Sequence, residues 1–161
     1  MRGRGKFCLV IVAFWMALAA IGGQAAQSTS AQSKIAEFNR KFIDAHLRMD
    51  NAAIFAFWAE DGVSLLPDMA PLVGKPAITK FVTDVVAKMP GYHVVTQEID
   101  FQGLQICGDW ASEWGMEHQV VQPPDGKPPI DNHGKILLIL HREPTGHWLV
   151  KQEMWNSAPK G

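Results

Sequence analysis

The sequence predicts a small α+β domain, and three observations carry that expectation. Two early segments place apolar residues at helical spacing, the chain after residue 91 is almost continuously strand-like, and those strands are joined by short connections rich in glycine or proline. Short connections imply antiparallel neighbours, because a parallel pair needs a crossover of a dozen or more residues. Three helices followed by a meander suggest helices packed in a strongly curved antiparallel sheet, with a hollow between them.

Residues 1–25 read as a secretory signal peptide. Arg2, Arg4 and Lys6 precede an uncharged, mostly apolar run from Phe7 to Ile21, and small residues follow through Gly22-Gly23-Gln24-Ala25-Ala26. That run is shorter than the roughly 20 residues a membrane-spanning helix needs. Cleavage after Ala25 is expected, which makes the product exported, periplasmic or secreted. It would remove three basic residues and no acidic one, so 136 residues remain and the formal net charge of −1 becomes −4. Without a basic run, neither nucleic acid nor an anionic membrane is an expected partner. Cys107 alone survives processing, so no internal disulfide can form and the core must hold the domain together. Residues 26–32, with Gln27, Ser28, Thr29, Ser30 and Gln32, read as a disordered polar linker.

The domain proper is expected over residues 33–158. Ile35, Phe38, Phe42, Ala45 and Met49 recur at spacings of three and four, with Lys34, Glu37, Arg40, Lys41, Asp44 and Arg48 between them, which predicts an amphipathic helix. Asp50 can cap a second, shorter helix through Trp58; Asp61-Gly62 then breaks it before a strand over Val63 to Leu66. Pro76 suits the first turn of a third helix, whose stripe is Ile78, Phe81, Val82, Val85 and Met89 and which Pro90-Gly91 ends. Strands are predicted over Tyr92 to Phe101, Leu104 to Gln122, Asp131 to Arg142 and His147 to Ser157, with breaks at Gln102-Gly103, at Pro123 to Pro129 and at Pro144-Thr145-Gly146.

Several stretches, namely Phe57-Trp-Ala-Glu-Asp-Gly-Val63, Gly74-Lys-Pro-Ala-Ile78, Gly108-Asp-Trp-Ala111, Gly134-Lys135, Gly146-His-Trp148 and Trp155-Asn-Ser157, together with the order of elements, resemble the nuclear transport factor 2-like superfamily, in particular its SnoaL-like members. The resemblance covers about residues 33 to 158 and implies a cone-shaped container. That container hosts isomerases, epoxide hydrolases, cyclases, dehydratases and non-catalytic binders, so it implies a hollow rather than a reaction. Its ketosteroid isomerases use an aspartate as proton shuttle, with a tyrosine and a protonated carboxylic acid as oxyanion hole. The resemblance puts Leu66, Phe42 and Leu138 at those three places. None of them can move or donate a proton, so steroid isomerisation is not expected.

Alternation along the strand that holds Trp110, Ser112, Trp114, Met116 and His118 predicts that this set faces inward. For the last strand two assignments stand: the resemblance implies Leu149, Lys151, Glu153 and Trp155 inward, whereas apolarity favours Trp148, Val150 and Met154. A Glu153 carboxyl among tryptophans would lose hydration and become a usable base near neutral pH, so His118 and Glu153 are the candidate acid–base pair. Structural alternatives stand beside it, with Glu153 paired to Lys151 or an arginine and His118 at an exposed strand end.

Phe42, Leu66, Trp110, Trp114, Met116, Leu138 and Trp155 are the candidate ligand-binding residues. No metal site is expected, because His93, His118, His133, His141 and His147 fall in no H-E-x-x-H, H-x-H or Cys-x-x-Cys arrangement. No cofactor is expected either, since no phosphate-binding glycine loop is present. The favoured reading is an exported domain that binds a small apolar molecule or a partner chain and dimerises through its sheet. The alternative is a small-molecule isomerase, cyclase or dehydratase using Glu153 and His118.

Overall fold

The computed structural model describes residues 30–124 and 126–160. The expected signal peptide, and all of the expected linker except residues 30–32, lie outside the described residues. The chain divides into a unit of residues 1–35 and a unit of residues 36–161; the architecture below is that of the second.

Helix α1 is helical from residue 30 through 47, so residues 30–32 are helix rather than linker. Its inward stripe buries Phe38, Phe42 and Ala45, and the rings of Phe38 and Phe42 each meet Phe57 edge-on. Asp50 caps α2 (Asn51–Ala56) as expected, its carboxylate accepting from the Ala53 N–H at 3.1 Å. Trp58 does not continue that helix. It opens β1 (Trp58–Leu65), which therefore begins five residues earlier than the sequence suggests. Asp61-Gly62 is an irregularity inside the strand rather than a break before it, and a Cβ on Gly62 would sit 2.8 Å from the Trp58 ring. The short β2 (Leu72–Val73) follows, and then α3 (Lys75–Ala87) with Pro76 in its first turn.

The rest is a meander of β3 (His93–Cys107), β4 (Trp110–Gln122), β5 (Ile130–Arg142) and β6 (Trp148–Ser157). Gln102-Gly103 does not separate two strands. It is a bulge within β3, where Gly103 takes a φ of 64° and the Trp114 indole nitrogen lies 2.6 Å from where a Cβ would be. The true turn is Gly108-Asp109, whose carboxylate accepts from Arg142 Nε at 2.8 Å. The Pro-Thr-Gly turn stands as expected, closed by Gly146 N–H donating to the Glu143 carbonyl at 2.8 Å.

The six strands form one sheet in the order β2-β1-β6-β5-β4-β3, and its neighbours are antiparallel except β1 and β6, which run parallel. Register shifts within the β1–β6, β3–β4 and β5–β6 pairs curve the sheet. Leu138, Leu140, Ile136 and Val150 are buried on its inward face.

Alternation on β4 is opposite to the expectation. Ala111, Glu113 and Gly115 are buried, while Trp110, Trp114 and Met116 are 46%, 44% and 43% exposed on the outward face. The reason is room. Inside the curve the neighbouring strand comes close: a Cβ on Gly115 would lie 2.7 Å from Ile99 and 3.1 Å from the Asp100 carbonyl, so glycine fits inside at that point and its large neighbours Trp114 and Met116 point out. Apolarity could not reveal this, because the outward face is apolar as well.

Candidate functional site

The two assignments of β6 are each correct over part of the strand. Leu140 pairs with Val150 and Ile139 with Gln152, so Lys151 is an extra residue in β6 and the side-chain alternation shifts by one there. Before the bulge Trp148 and Val150 point into the core; after it Glu153 and Trp155 do. Lys151 at the bulge turns away and pairs with Asp61 of β1. It is therefore not the partner of Glu153.

Glu153 lies in register with Ser64 on one side and with Leu138 on the other. The Ser64 hydroxyl donates to Glu153 Oε2 at 3.1 Å. Burial pushes the Glu153 carboxyl up to about 7; the Ser64 bond opposes that shift and the Glu117 carboxylate adds to it. Glu153 and Ser64 share one wall of a cavity of about 170 Å³ whose lining includes Phe42 and His46 of α1, Ile54, Trp58, Leu66, and Ile78 and Phe81 of α3. Apart from His46, Ser64 and Glu153 the lining is apolar.

His46 has no counterpart in the sequence reading. It stands one turn beyond Phe42, so its Nδ1 donates to the Phe42 carbonyl at 2.8 Å and its ring lies against Phe42, tilted by 44° with centroids 4.3 Å apart. Burial lowers its pKa, against the smaller upward pull of that hydrogen bond and of Glu117. The ring is thus neutral at pH 7, with the proton on Nδ1 and an acceptor lone pair on Nε2. The available signal was a polar residue four positions after Phe42, at the edge of the helix's apolar stripe.

The remaining sequence candidates divide. Phe42 and Leu66 line the cavity. Leu138 is fully buried in the sheet between Glu113 and Glu153. Trp155 lies on the inward face and donates its indole N–H to Glu117, which also accepts from Gln97 at 2.6 Å. Trp110, Trp114 and Met116 are outside; Trp110 borders a separate, open hollow of about 250 Å³ with Ile106 and Cys107. His118 does not meet Glu153. Register puts it five residues further along β4 than Glu113, the residue in line with Leu138 and Glu153, a displacement of roughly 17 Å along the strands. It is also on the other face.

Glu113 is the second carboxyl that burial pushes upward. Asn39 Nδ2 donates to its Oε2 at 3.0 Å, while Glu113 Oε1 and Asn39 Oδ1 are buried without a hydrogen-bond partner. Protonation of Glu113 would turn one of these two unpartnered acceptors into a donor.

No protein-family model and no curated protein matches the sequence. Solved structures do. A ketosteroid isomerase-like protein from Erwinia carotovora atroseptica is 18% identical with a TM-score of 0.68, over 80% of this chain and 96% of its own. An NTF2-like protein with a cystatin-like fold from Novosphingobium aromaticivorans is 15% identical with a TM-score of 0.68, over 86% of this chain and 89% of its own. ActVI-ORFA from Streptomyces coelicolor is 16% identical with a TM-score of 0.67, over 78% of this chain and 96% of its own. The helices leading into a curved sheet, the inward cavity and these likenesses agree: the domain has the nuclear transport factor 2-like fold.

Proposed function

We propose that the protein binds a small, largely apolar molecule in the cavity between α1, α3 and the β1–β6 pair, and that Glu153 moves a proton on it. The observation that carries this reading is the Glu153 carboxyl, raised to about 7 inside an otherwise apolar lining. A carboxyl at that value is half ionised at neutral pH, so it can take a proton from an acidified C–H and return it at another atom. Ser64 occupies Oε2, which leaves Oε1 as the oxygen that receives the proton. His46, neutral and with Nε2 as acceptor, would orient a hydroxyl on the ligand. His46 rather than His118 is the histidine paired with Glu153 in this proposal, because both line this cavity. Isomerisation, cyclisation and dehydration are reaction classes that a single carboxyl shuttle serves, and the cavity is smaller than the roughly 300 Å³ at which drug-sized sites begin.

A second reading, binding without chemistry, is favoured by the presence of Phe42 and Leu66 in the lining, since they stand where the resemblance puts a tyrosine and an aspartate. The two separate at Glu153→Gln, which keeps shape and the Ser64 bond but cannot accept a proton. Small cyclic enones, β-hydroxy ketones and plain hydrocarbons should be screened by thermal shift, because a ligand bound only to the native state raises Tm. Hits should then be followed for turnover. Loss of about a hundredfold or more in kcat with affinity kept supports proton transfer; unchanged stabilisation with no turnover in the parent leaves the binder.

Export after cleavage near Ala25 and self-association through the outward sheet face belong to the same proposal. The first rests on the charged start and apolar run of the sequence, the second on the exposed Trp110, Trp114, Met116, Leu137 and Met154.

A further inference from the structure

At the end of the outward face away from the β5–β6 turn, cross-strand pairing brings two histidines side by side. His118 of β4 is the direct partner of His133 of β5, and their rings stack with centroids 4.6 Å apart and planes within 8°. Asp131, two residues before His133, points to the same face. Its Oδ1 is 2.9 Å from His118 Nε2 and 3.2 Å from His133 Nε2. The three ligand-type atoms lie within 4.8 Å of one another.

We propose that His118, Asp131 and His133 form a binding site for one divalent transition-metal ion of the zinc type. Ligands 2.0–2.2 Å from a tetrahedral ion stand about 3.4 Å apart, so the two nitrogen–oxygen separations need only small adjustment. Two imidazoles and one carboxylate are a donor set suited to zinc, copper, nickel and cobalt rather than to calcium or magnesium, and three protein ligands leave a fourth position open.

The surroundings are those a metal site requires. Lys160 Nζ donates to Asp131 Oδ2 at 2.6 Å, which holds the carboxylate in place and leaves Oδ1 toward the imidazoles. On the far side of the His118 ring, Glu98 Oε2 lies 3.8 Å from Nδ1, beyond hydrogen-bond range but on the side from which a carboxylate can orient a metal-bound histidine. His133 Nε2 is buried and makes no hydrogen bond among the described residues, although a carboxylate oxygen is 3.2 Å away. In the neutral tautomer that carries its proton on Nδ1, this nitrogen has an unused lone pair to offer an ion. The ligands come from two strands paired by register, with only Asp131-x-His133 contiguous, so histidine spacing could not expose them.

Untagged protein freed of metal with a chelator should be titrated with zinc chloride by calorimetry and with cobalt chloride by visible absorption. We expect one ion per chain, a raised Tm on zinc addition, and cobalt bands of a low-coordinate N/O site. Asp131→Asn, close to isosteric, and His133→Ala should each weaken binding by about tenfold to a hundredfold or more, while His147→Ala, at an exposed histidine elsewhere, should leave it unchanged. Circular dichroism melts confirm that the variants fold. If His133→Ala does not fold, Asp131→Asn and the parent cobalt spectrum decide. Saturation only on the order of millimolar zinc, or equal affinity in parent and Asp131→Asn, would overturn the site.

Discussion

Burial raises the Glu153 carboxyl to about 7 from an ordinary 4.5, and the shift links stability to pH. Between those values the folded chain holds more protons than the unfolded one, so the stabilisation is complete below about 4.5 and is lost as pH rises through about 7. The swing is on the order of 3 kcal/mol. Urea denaturation at a series of pH values should show stability falling across that window, and Glu153→Gln should flatten most of the fall. A slope equal to the parent's would mean that Glu153 ionises as freely in the folded chain as in water. Glu113 contributes a slope of the same sign and should survive in the variant. Sequence reasoning reached Glu153 because the resemblance put it on the inward face of the last strand, where tryptophans would strip its hydration. It missed His46 because a histidine one position off the helix's apolar stripe looks like any exposed polar residue until Phe42 turns its carbonyl toward it.

Glycines on the strands decide which face of each element is in. Gly134 of β5 lies directly beneath the Trp155 indole, and a Cβ there would come within 2.6 Å of the ring's Cε2. That gap lets the ring cross β5 to reach Glu117 on β4. Gly134→Ala should therefore displace Trp155 and cost about 1–3 kcal/mol by overpacking, read as a lower urea midpoint with a changed tryptophan emission maximum. An unchanged emission maximum would show that the indole is not held there. Helices and the β3–β6 meander were legible because their periods and turn residues are local. Two of the departures, Gln102-Gly103 taken as a break and the inward set of β4, have one physical source: both depend on what sits across the sheet. Trp114 fills the space over Gly103, and Ile99 fills the space over Gly115. The bulge at Lys151 was equally invisible, since it exists only relative to β5.

At the scale of the whole molecule, the outward face leaves Trp114, Leu137 and Met154 exposed in one cross-strand row, with Met116 beside it. Such a row marks an interaction surface; the proposed self-association would cover it with a second copy, and a standard-size interface of about 800 Å² per partner should be occupied at tens of micromolar. Light scattering should report a dimer, and Trp114→Arg should shift it to a monomer without lowering helix content. A monomeric parent would sink this expectation. The sequence indicated the apolar outward face but assigned its tryptophans to the hollow, since both faces of the sheet are apolar. The parallel pairing of β1 with β6 has a bearing on the order of events during synthesis. β1 has only the two-residue β2 as a partner until β6 exists, and Ser64 and Glu153 are 89 positions apart in sequence. Closing so long a loop is slow, since its entropy must be spent before the contact is gained. A chain in which β6 has yet to form has neither a finished sheet nor Glu153 in place, so the cavity gains its acid only with the last pairing of the fold.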